Sequence, residues 1–285
     1  MRPTVRRHLY RAFTLIELLV VVAIITILIA ILLPILGKAR REAQKVHCAS
    51  NLRSIGQALT MYTQQYGHYP CMSAFYGGGT WYAIWPTRLR PFLNGEQGVF
   101  NCPSQDPQCW WVKGAAPTLA SPPATEAHVP FGYDLGEPLL NLERTYFSYG
   151  YNYQGAAQTA GVPADGTQLG LGKLVNLWAP WDPTSGEVRA SRVRVPAHMI
   201  SIADTVANGF WDFAISPSHA SPQLQPGTIH NNGANVLYCD GHVEWHLQID
   251  LLLPYPVDTA EIGVRHNEVS RMWNNTNQCE GDGAN

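Results

Sequence analysis

Hydrophobic residues predominate from residue 13 to residue 36, and Glu17 is the one ionisable residue in this run. A helix rises about 1.5 Å per residue and needs roughly 20 apolar residues to cross the hydrocarbon core of a membrane. The run is long enough for that purpose, and lipid favours a helix because it satisfies every backbone polar group internally. The pattern therefore predicts a membrane-spanning helix over residues 13–36.

Beyond this run, apolar positions recur at steps of three and four residues. The stripe comprises Val46, Ala49, Leu52, Ile55, Leu59, Tyr62 and Tyr66. Such spacing predicts an amphipathic helix over residues 37–66 whose apolar face packs on the domain that follows. Pro34 predicts an interruption of the long helix, and Gly67 followed by Pro70 is typical of its end.

The C-terminal third predicts β-strands. Residues 199–204 form a short apolar run, and residues 148–153 are typical of a short aromatic strand or a turn. Asp240 and Gly241 separate two further runs and predict a two-residue hairpin turn. In that register Val236 faces Trp245, Tyr238 faces Val243, and these four side chains share one apolar face.

Taken together, the pattern predicts an α+β protein. A long N-terminal helix packs on an antiparallel sheet, within a β-rich head over residues 67–285 that contains long irregular insertions. The insertions carry Trp81, Trp85, Trp110 and Trp111. These tryptophans could form a glycan-binding surface, but burial over the core is favoured because buried aromatic side chains dominate core packing.

Composition narrows the possible partners. The formal net charge is −2, so the charge gives no indication of a nucleic-acid partner. The six cysteines contain no C-x2-C pair, so no zinc module is predicted, whereas an oxidising compartment would favour disulfides. Among 15 pairings, Cys102 with Cys109 is the locally attractive one, and the other cysteines are left unassigned.

A basic leader over residues 1–12 precedes the apolar run. The alternative of a secretory signal cleaved near Gly37 is disfavoured, since the apolar run exceeds the usual 7–15 residues and contains Glu17. A charge in a membrane span costs on the order of 3 kcal/mol, so Glu17 is expected to have a functional role and an ammonium partner. Snorkelling at the membrane edge is the alternative for Glu17.

Residues 12–19, Ala-Phe-Thr-Leu-Ile-Glu-Leu-Leu, resemble the processing site of type IV prepilins and type II secretion pseudopilins. The resemblance implies that a prepilin peptidase cleaves between Ala12 and Phe13 on the cytoplasmic side and methylates the new N terminus. It also implies that Glu17 offsets the terminal amine of a neighbouring subunit, and that Pro34 kinks or locally melts the helix. Ala12 replaces the glycine that is usual in this family.

A second resemblance involves His230, Asp240 and Gly241, which match the H-x9-DG signature of bacterial pilin-like proteins. A strand rises about 3.3 Å per residue, so His230 and Asp240 are expected at opposite ends of one strand, too far apart to share an ion. We expect Asp240 and Gly241 to make the turn, and His230 to anchor the loop of residues 231–233.

The same hairpin offers a weaker metal site at His242, Glu244 and His246, which are more simply explained as the solvent side of a strand. No nucleophile elbow, P-loop, Rossmann glycine set or H-E-x-x-H motif occurs, so neither an enzyme nor a cofactor is predicted. A metal-dependent hydrolase therefore ranks last among the functions considered.

The predicted function is structural. The precursor would be a single-pass inner-membrane protein with its head outside the cytoplasm. Its mature form would assemble with identical or related pilin subunits into a periplasmic or cell-surface filament, a type IV pilus or a type II secretion pseudopilus. The alternative is a monomeric membrane-anchored binding protein that recognises glycans through its tryptophan-rich loops.

Overall fold

The computed structural model describes most of the N-terminal helix and the central part of the head. The described residues are 14–76, 80–83, 85–111, 122–140, 146–153, 170–171, 174–176, 188–207, 209, 212–217, 222–252, 269 and 271–273. Two compact units are distinguished within the chain, residues 1–43 and residues 44–285.

The long helix α1 spans Leu15–Tyr66, which is 52 residues without a break. The predicted interruption at Pro34 is therefore wrong. A proline removes one backbone hydrogen bond, while the turns on both sides of it keep theirs. The helix ends as predicted at Gly67, which has a φ of +73° and donates its N–H to the Thr63 carbonyl at 2.8 Å.

In the first unit, the described residues form the N-terminal part of α1. Its large apolar side chains are well exposed, as the values of 71% for Ile16 and 52% for Ile24 indicate. By length and composition this stretch could cross a membrane. It therefore fits a membrane-anchored precursor.

The described residues of the second unit form the C-terminal part of α1, two short helices and ten short strands. The helices are α2 (Trp85–Leu89) and α3 (Gln248–Leu251). The strands are β1 (His68–Tyr69), β2 (Ser73–Tyr76), β3 (Thr80–Ala83), β4 (Tyr149–Asn152), β5 (Leu174–Asn176), β6 (Val188–Arg189), β7 (Ile200–Asp204), β8 (Ala214–Ile215), β9 (Gly233–Tyr238) and β10 (Val243–Leu247). Short segments of 3-10 helix lie between them at Arg90–Leu93, Gly98–Phe100, Pro107–Cys109, Glu126–Phe131, Ala190–Arg192, Pro196–His198 and Pro222–Leu224.

The principal sheet has five strands in the order β10-β9-β7-β4-β8. All neighbouring strands in it are antiparallel except β4 and β8, which are parallel. Two smaller sheets have the orders β3-β2-β5 and β1-β6. The predicted α+β, pilin-like architecture is confirmed, as are the strands expected near residues 148–153 and 199–204.

One face of the five-stranded sheet packs on the amphipathic part of α1. The buried residues of α1 are Cys48, Asn51, Leu52, Ile55, Gly56, Ala58, Leu59 and Tyr62. Most of the predicted stripe is confirmed, but Val46 is 62% exposed and Tyr66 is 42% exposed. Helical spacing determines which residues share a face, whereas the positions of the strands determine how far along that face burial extends.

The opposite face of the sheet has a second hydrophobic cluster. It comprises Ile200, Ala203, Ile215, Ala234, Val236, Tyr238, Leu251, Val269 and Trp273. Strand β9 is consequently buried at all six positions. A strand that is covered on both faces is typically apolar at consecutive positions, as β9 is over Val236, Leu237 and Tyr238.

The hairpin between β9 and β10 differs from prediction by one residue. Val243 pairs with Leu237 and Glu244 pairs with Val236, so the loop contains the three residues 239–241. Gly241 has a φ of +94°, and its N–H bonds to the Tyr238 carbonyl at 3.0 Å. This geometry matches a type I turn followed by a left-handed residue.

The extra loop residue changes which side chains share a face, because the side-chain period of a strand is two. The predicted apolar set of Val236, Tyr238, Val243 and Trp245 is therefore wrong. Val236 and Tyr238 lie in the second cluster, whereas the Trp245 ring lies under Lys45 of α1, whose Nζ is 4.4 Å from the ring centroid.

Trp85 and Trp111 lie in the core, with exposures of 0% and 4%. The Trp85 ring stacks on Tyr151 at 5.7 Å between centroids, and its Nε1–H donates to the Phe213 carbonyl at 3.0 Å. For these two tryptophans the predicted burial is confirmed. They do not contribute to an exposed aromatic surface.

Candidate functional site

The start of α1 is closed by a reciprocal pair of hydrogen bonds between Thr14 and Glu17. The backbone N–H and the hydroxyl of Thr14 both donate to Glu17 Oε2 at 2.8 Å. The Glu17 N–H in turn donates to Thr14 Oγ1 at 3.3 Å. This is a capping box, in which each side chain satisfies a backbone donor of the first turn.

Glu17 is thus held at the first turn of α1 while its side chain remains exposed. A carboxylate can accept about four hydrogen bonds, so the two donors at Oε2 do not saturate it. The predicted processing residues Ala12 and Phe13 lie outside the described part of the chain. The sequence pattern Thr-x-x-Glu could have predicted the capping role of Thr14.

A buried polar cluster lies in the second unit, where α1 and the five-stranded sheet meet. Its members are Cys48 of α1, Cys102, Asp204 at the end of β7 and His230 before β9, and one ligand atom from each lies within 4.8 Å of the others. His230 Nε2 is 3.4 Å from Asp204 Oδ2 and 3.5 Å from Cys102 Sγ. All four residues are at most 3% exposed.

Cys48 and Cys102 form a disulfide. The predicted pairing of Cys102 with Cys109 is wrong, since Cys109 is a free, half-buried thiol at the end of a 3-10 turn. Closeness in sequence suggested that pair, whereas packing places Cys102 against α1. The observed disulfide links residues 54 positions apart and joins the long helix to the head.

Asp204 is fully buried. Its Oδ2 accepts the Asn235 N–H at 2.7 Å, whereas Oδ1 has no hydrogen-bond partner among the described residues. Burial raises the pKa of Asp204 to about 7, although the bonds to Asn235 act in the opposite direction. Its environment therefore disfavours the ionised carboxylate.

His230 closes the turn that leads into β9. Its N–H and carbonyl bond the carbonyl and N–H of Gly233 at 3.2 and 3.1 Å. Asn231 and Asn232 between them have φ values of 54° and 62°, as a type I′ turn requires. The Trp245 Nε1–H donates to the His230 carbonyl at 2.9 Å. The backbone of His230 therefore closes this loop.

The other end of the H-x9-DG signature has different partners. Asp240 is exposed in the hairpin loop, and its Oδ1 accepts the His242 N–H at 3.1 Å and lies 2.6 Å from His242 Nδ1. His230 is paired with Asp204 instead. The two motif residues are thus separated by β9 and have different protein partners.

The weaker metal site at His242, Glu244 and His246 does not appear among the clusters of potential ligands in the described residues. One ring nitrogen of each histidine has a protein partner. His242 Nδ1 bonds Asp240, and His246 Nε2 bonds the Tyr238 hydroxyl at 2.9 Å. Desolvation lowers the pKa of His246.

The hairpin loop rests on α1 at Gly56. A Cβ atom at Gly56 would lie 2.7 Å from Leu237 Cδ1 and 3.4 Å from the Gly241 carbonyl oxygen. Gly241 is in turn near Thr60, whose Oγ1 would be 3.8 Å from a Cβ at that glycine. The Asp-Gly loop therefore packs directly against the long helix.

Comparison with known families identifies the N-terminal segment. Residues 7–33 match the family model of the prokaryotic N-terminal methylation motif. The motif indicates a prepilin-type precursor of the pilin or pseudopilin class, a structural rather than an enzymatic class. It implies processing by a prepilin peptidase and association with pilin subunits. Neither the comparison with curated proteins nor that with solved structures finds a match.

The methylation motif covers the capping box and most of the exposed apolar stretch of this prepilin-type chain, but none of the buried cluster. The sequence pattern predicts no disulfide partner for Cys48, and it predicts Asp204 only as the last residue of a strand. Two signals were available: Cys48 is in register with Leu52 and Ile55 on the buried face, and Asp204 is a carboxylate at the end of an apolar strand.

The contact at Gly56 leads to the first prediction. Replacing Gly56 with valine should lower the free energy of unfolding by about 1–3 kcal/mol, because the added methyl groups would overlap Leu237 and the hairpin loop. Guanidinium unfolding of the detergent-solubilised chain, followed by tryptophan fluorescence, would measure the change.

Gly37 provides the matched control on the same helix. A Cβ there would meet only Arg41 Nη1, at 4.0 Å. Gly37→Val should therefore change the free energy of unfolding by less than about 0.5 kcal/mol. Equal effects of the two substitutions would contradict a specific contact between the Asp-Gly loop and α1.

Proposed function

We propose that this prepilin-type precursor is a structural subunit that polymerises into a type IV pilus-like or type II secretion pseudopilus filament. One observation carries the proposal: the methylation motif lies on a helix whose apolar residues from Leu15 to Leu36 are exposed in the single subunit. Such a surface is stable only in lipid or against other apolar helices, since exposed apolar area costs about 25 cal/mol per Å² in water. Bundling with other subunits would cover it once the subunit leaves the membrane.

Glu17 is proposed to take part in this assembly. In the single subunit its carboxylate accepts two hydrogen bonds from Thr14 and can accept more, and the first turn of α1 holds it at the N-terminal end of the helix. An incoming ammonium group of a neighbouring subunit would add a charge-assisted hydrogen bond, which is about twice as strong as a neutral one. Pro34 is proposed to allow local melting of α1 within the filament, although the helix is unbroken in the subunit.

The filament itself is the decisive test. Shearing of cells or spheroplasts that express the protein should release it in filaments that sediment at high speed and are visible by electron microscopy. The protein would be found in that fraction whether it is a major or a minor subunit of the filament. Protein that stays entirely with the membrane after shearing would contradict polymerisation and favour a monomeric anchored protein.

Processing provides the second prediction. The mature chain should begin with N-methylated Phe13, which N-terminal sequencing and mass spectrometry would detect. Ala12→Gly, which restores the usual residue of the family, should be processed at least as well, while Ala12→Leu should leave the leader attached. Recovery of the intact leader on filament material would contradict the proposed cleavage position.

The alternative of an anchored glycan-binding protein has less support, because Trp85 and Trp111 are buried in the core. An open cavity of about 410 Å³ beside Tyr62, Tyr66, Arg88 and Phe92 is a place where such a ligand would contact aromatic rings. The Arg88 guanidinium lies over the rings of Tyr62 and Tyr66 at 5.1 and 5.5 Å. The shearing experiment separates the two functions.

A further inference from the structure

We propose that, when Cys48 and Cys102 are reduced, their thiolates bind one zinc ion together with His230 Nε2 and a carboxylate oxygen of Asp204. The same four residues would then connect α1 to the head in both redox states, through a disulfide when oxidised and through a metal ion when reduced. This inference does not depend on filament formation.

The composition of the cluster is the first argument. Two cysteines, one histidine and one carboxylate are all zinc ligands, and structural zinc sites are nearly always four-coordinate and tetrahedral. Sulfur and imidazole ligands favour zinc over magnesium or calcium, which prefer oxygen ligands. All four side chains are at most 3% exposed, as suits a closed structural site.

The distances are the second argument. In a tetrahedral site with a Zn–S bond of about 2.3 Å and Zn–N and Zn–O bonds of about 2.0–2.2 Å, neighbouring ligand atoms lie roughly 3.3–3.8 Å apart. His230 Nε2 is already 3.5 Å from Cys102 Sγ and 3.4 Å from Asp204 Oδ2. Within the cluster all the ligand atoms lie within 4.8 Å of one another. Once the disulfide is broken, the two sulfurs would have to move apart, and any pair of ligand atoms beyond about 3.8 Å would have to move closer together.

The disulfide alone does not explain why Asp204 and His230 are buried beside it. Burial of a carboxylate without full hydrogen bonding is costly, and a disulfide needs no polar neighbour. Yet Asp204 lies against the disulfide, fully buried, and its Oδ1 has no hydrogen-bond partner among the described residues. A metal ion would supply the missing partner.

Hydrogen bonds from neighbouring groups would hold the ligand side chains in position, as hydrogen bonds around metal ligands usually do. The Asn235 N–H holds Asp204 Oδ2 at 2.7 Å, and the type I′ turn with Trp245 Nε1–H fixes the backbone of His230. Outer contacts of this kind position first-sphere ligands and are worth about 10–100-fold in metal affinity.

Reduction by a phosphine consumes one water molecule: the phosphine gives two electrons to the disulfide and becomes a phosphine oxide, and the two protons of the water convert the sulfurs to two thiols. Zinc then displaces the two thiol protons and binds the thiolates. Because the site is buried, we expect the metal to enter as the reduced chain folds, before the helix and the sheet close over it.

The experiment uses the full chain in detergent. It is unfolded with a phosphine reductant and refolded without oxygen in the presence of Co²⁺ or Zn²⁺. The reduced wild-type chain should bind one metal ion per molecule, and Co²⁺ should give the intense visible bands of a tetrahedral site with thiolate charge transfer. The oxidised chain should bind no metal at this site, because the disulfide offers no thiolate.

Variants distinguish this cluster from chance binding to other thiols. Asp204→Asn keeps an acceptor for the Asn235 N–H but is a poor zinc ligand, and it should weaken binding by more than about a hundredfold, beyond the effect of outer contacts. Replacing the four other cysteines of the sequence, Cys71, Cys109, Cys239 and Cys279, together with alanine should leave binding unchanged. The absence of metal in the reduced wild-type chain, or equal binding by the oxidised chain or by Asp204→Asn, would overturn the proposal.

Discussion

Replacing Glu17 with glutamine is expected to abolish filaments while leaving membrane insertion and leader cleavage intact. Glutamine can take the place of glutamate in a capping box, so the bonds to Thr14 that close the first turn of α1 would be kept. Only the negative charge would be lost. An ion pair that is buried in an assembly and loses one partner costs about 3 kcal/mol or more, which corresponds to a fall in assembly of about a hundredfold or more.

The measurement is the amount of protein in sheared filaments relative to the amount in the membrane. Glu42→Gln, which removes the same charge further along α1, is the matched control and should assemble normally. Thr14→Val is the converse test, since it removes the capping hydroxyl and keeps the charge of Glu17. If Glu17→Gln assembles normally and Thr14→Val does not, Glu17 acts as a helix cap and not as the charge partner of a neighbouring subunit.

Removal of the disulfide should have the largest effect on the stability of the head. Cys48 and Cys102 are 54 positions apart, and closing a loop of that length restricts the unfolded chain by an amount equivalent to about 4 kcal/mol. The double variant Cys48→Ala with Cys102→Ala should therefore lose about 2–5 kcal/mol of unfolding free energy. Denaturant unfolding of the oxidised proteins, with a chelator present to exclude any metal, would measure the difference.

Cys109→Ala is the informative control, because this thiol was expected from the sequence to be the partner of Cys102. It should change the free energy of unfolding by less than about 0.5 kcal/mol if Cys109 is free, as in the structure. A large loss from Cys109→Ala with little loss from the double variant would restore the pairing of Cys102 with Cys109.

The sequence predicted well wherever the pattern is local and strongly periodic. The apolar run and the helical stripe predicted α1, and Gly67 marked its end, since helix formation depends on neighbouring residues and their spacing. Pro34 was misjudged because its effect depends on the stability of the turns on both sides of it. The strands β4 and β7 were also recognisable from short apolar or aromatic runs.

The hairpin was less predictable. Asp240 and Gly241 predict a turn, but two-residue and three-residue loops use similar residues. The difference of one loop residue moves every side chain of β10 to the other face of the sheet. Contact of the loop with Gly56, and of Trp245 with Lys45, accompanies the observed register. These partners lie far away in sequence.

By itself, the sequence determined that this chain has a membrane-compatible N-terminal helix with a prepilin-type processing motif and an α+β head. Those properties follow from local composition, periodicity and short motifs. Only the tertiary structure decided that Cys48 pairs with Cys102, that His230 meets Asp204, and that the Asp-Gly loop rests on the long helix. The physical reason is that each of these contacts joins residues brought together by strand pairing or by packing of the helix on the sheet, and these residues lie far apart in the sequence.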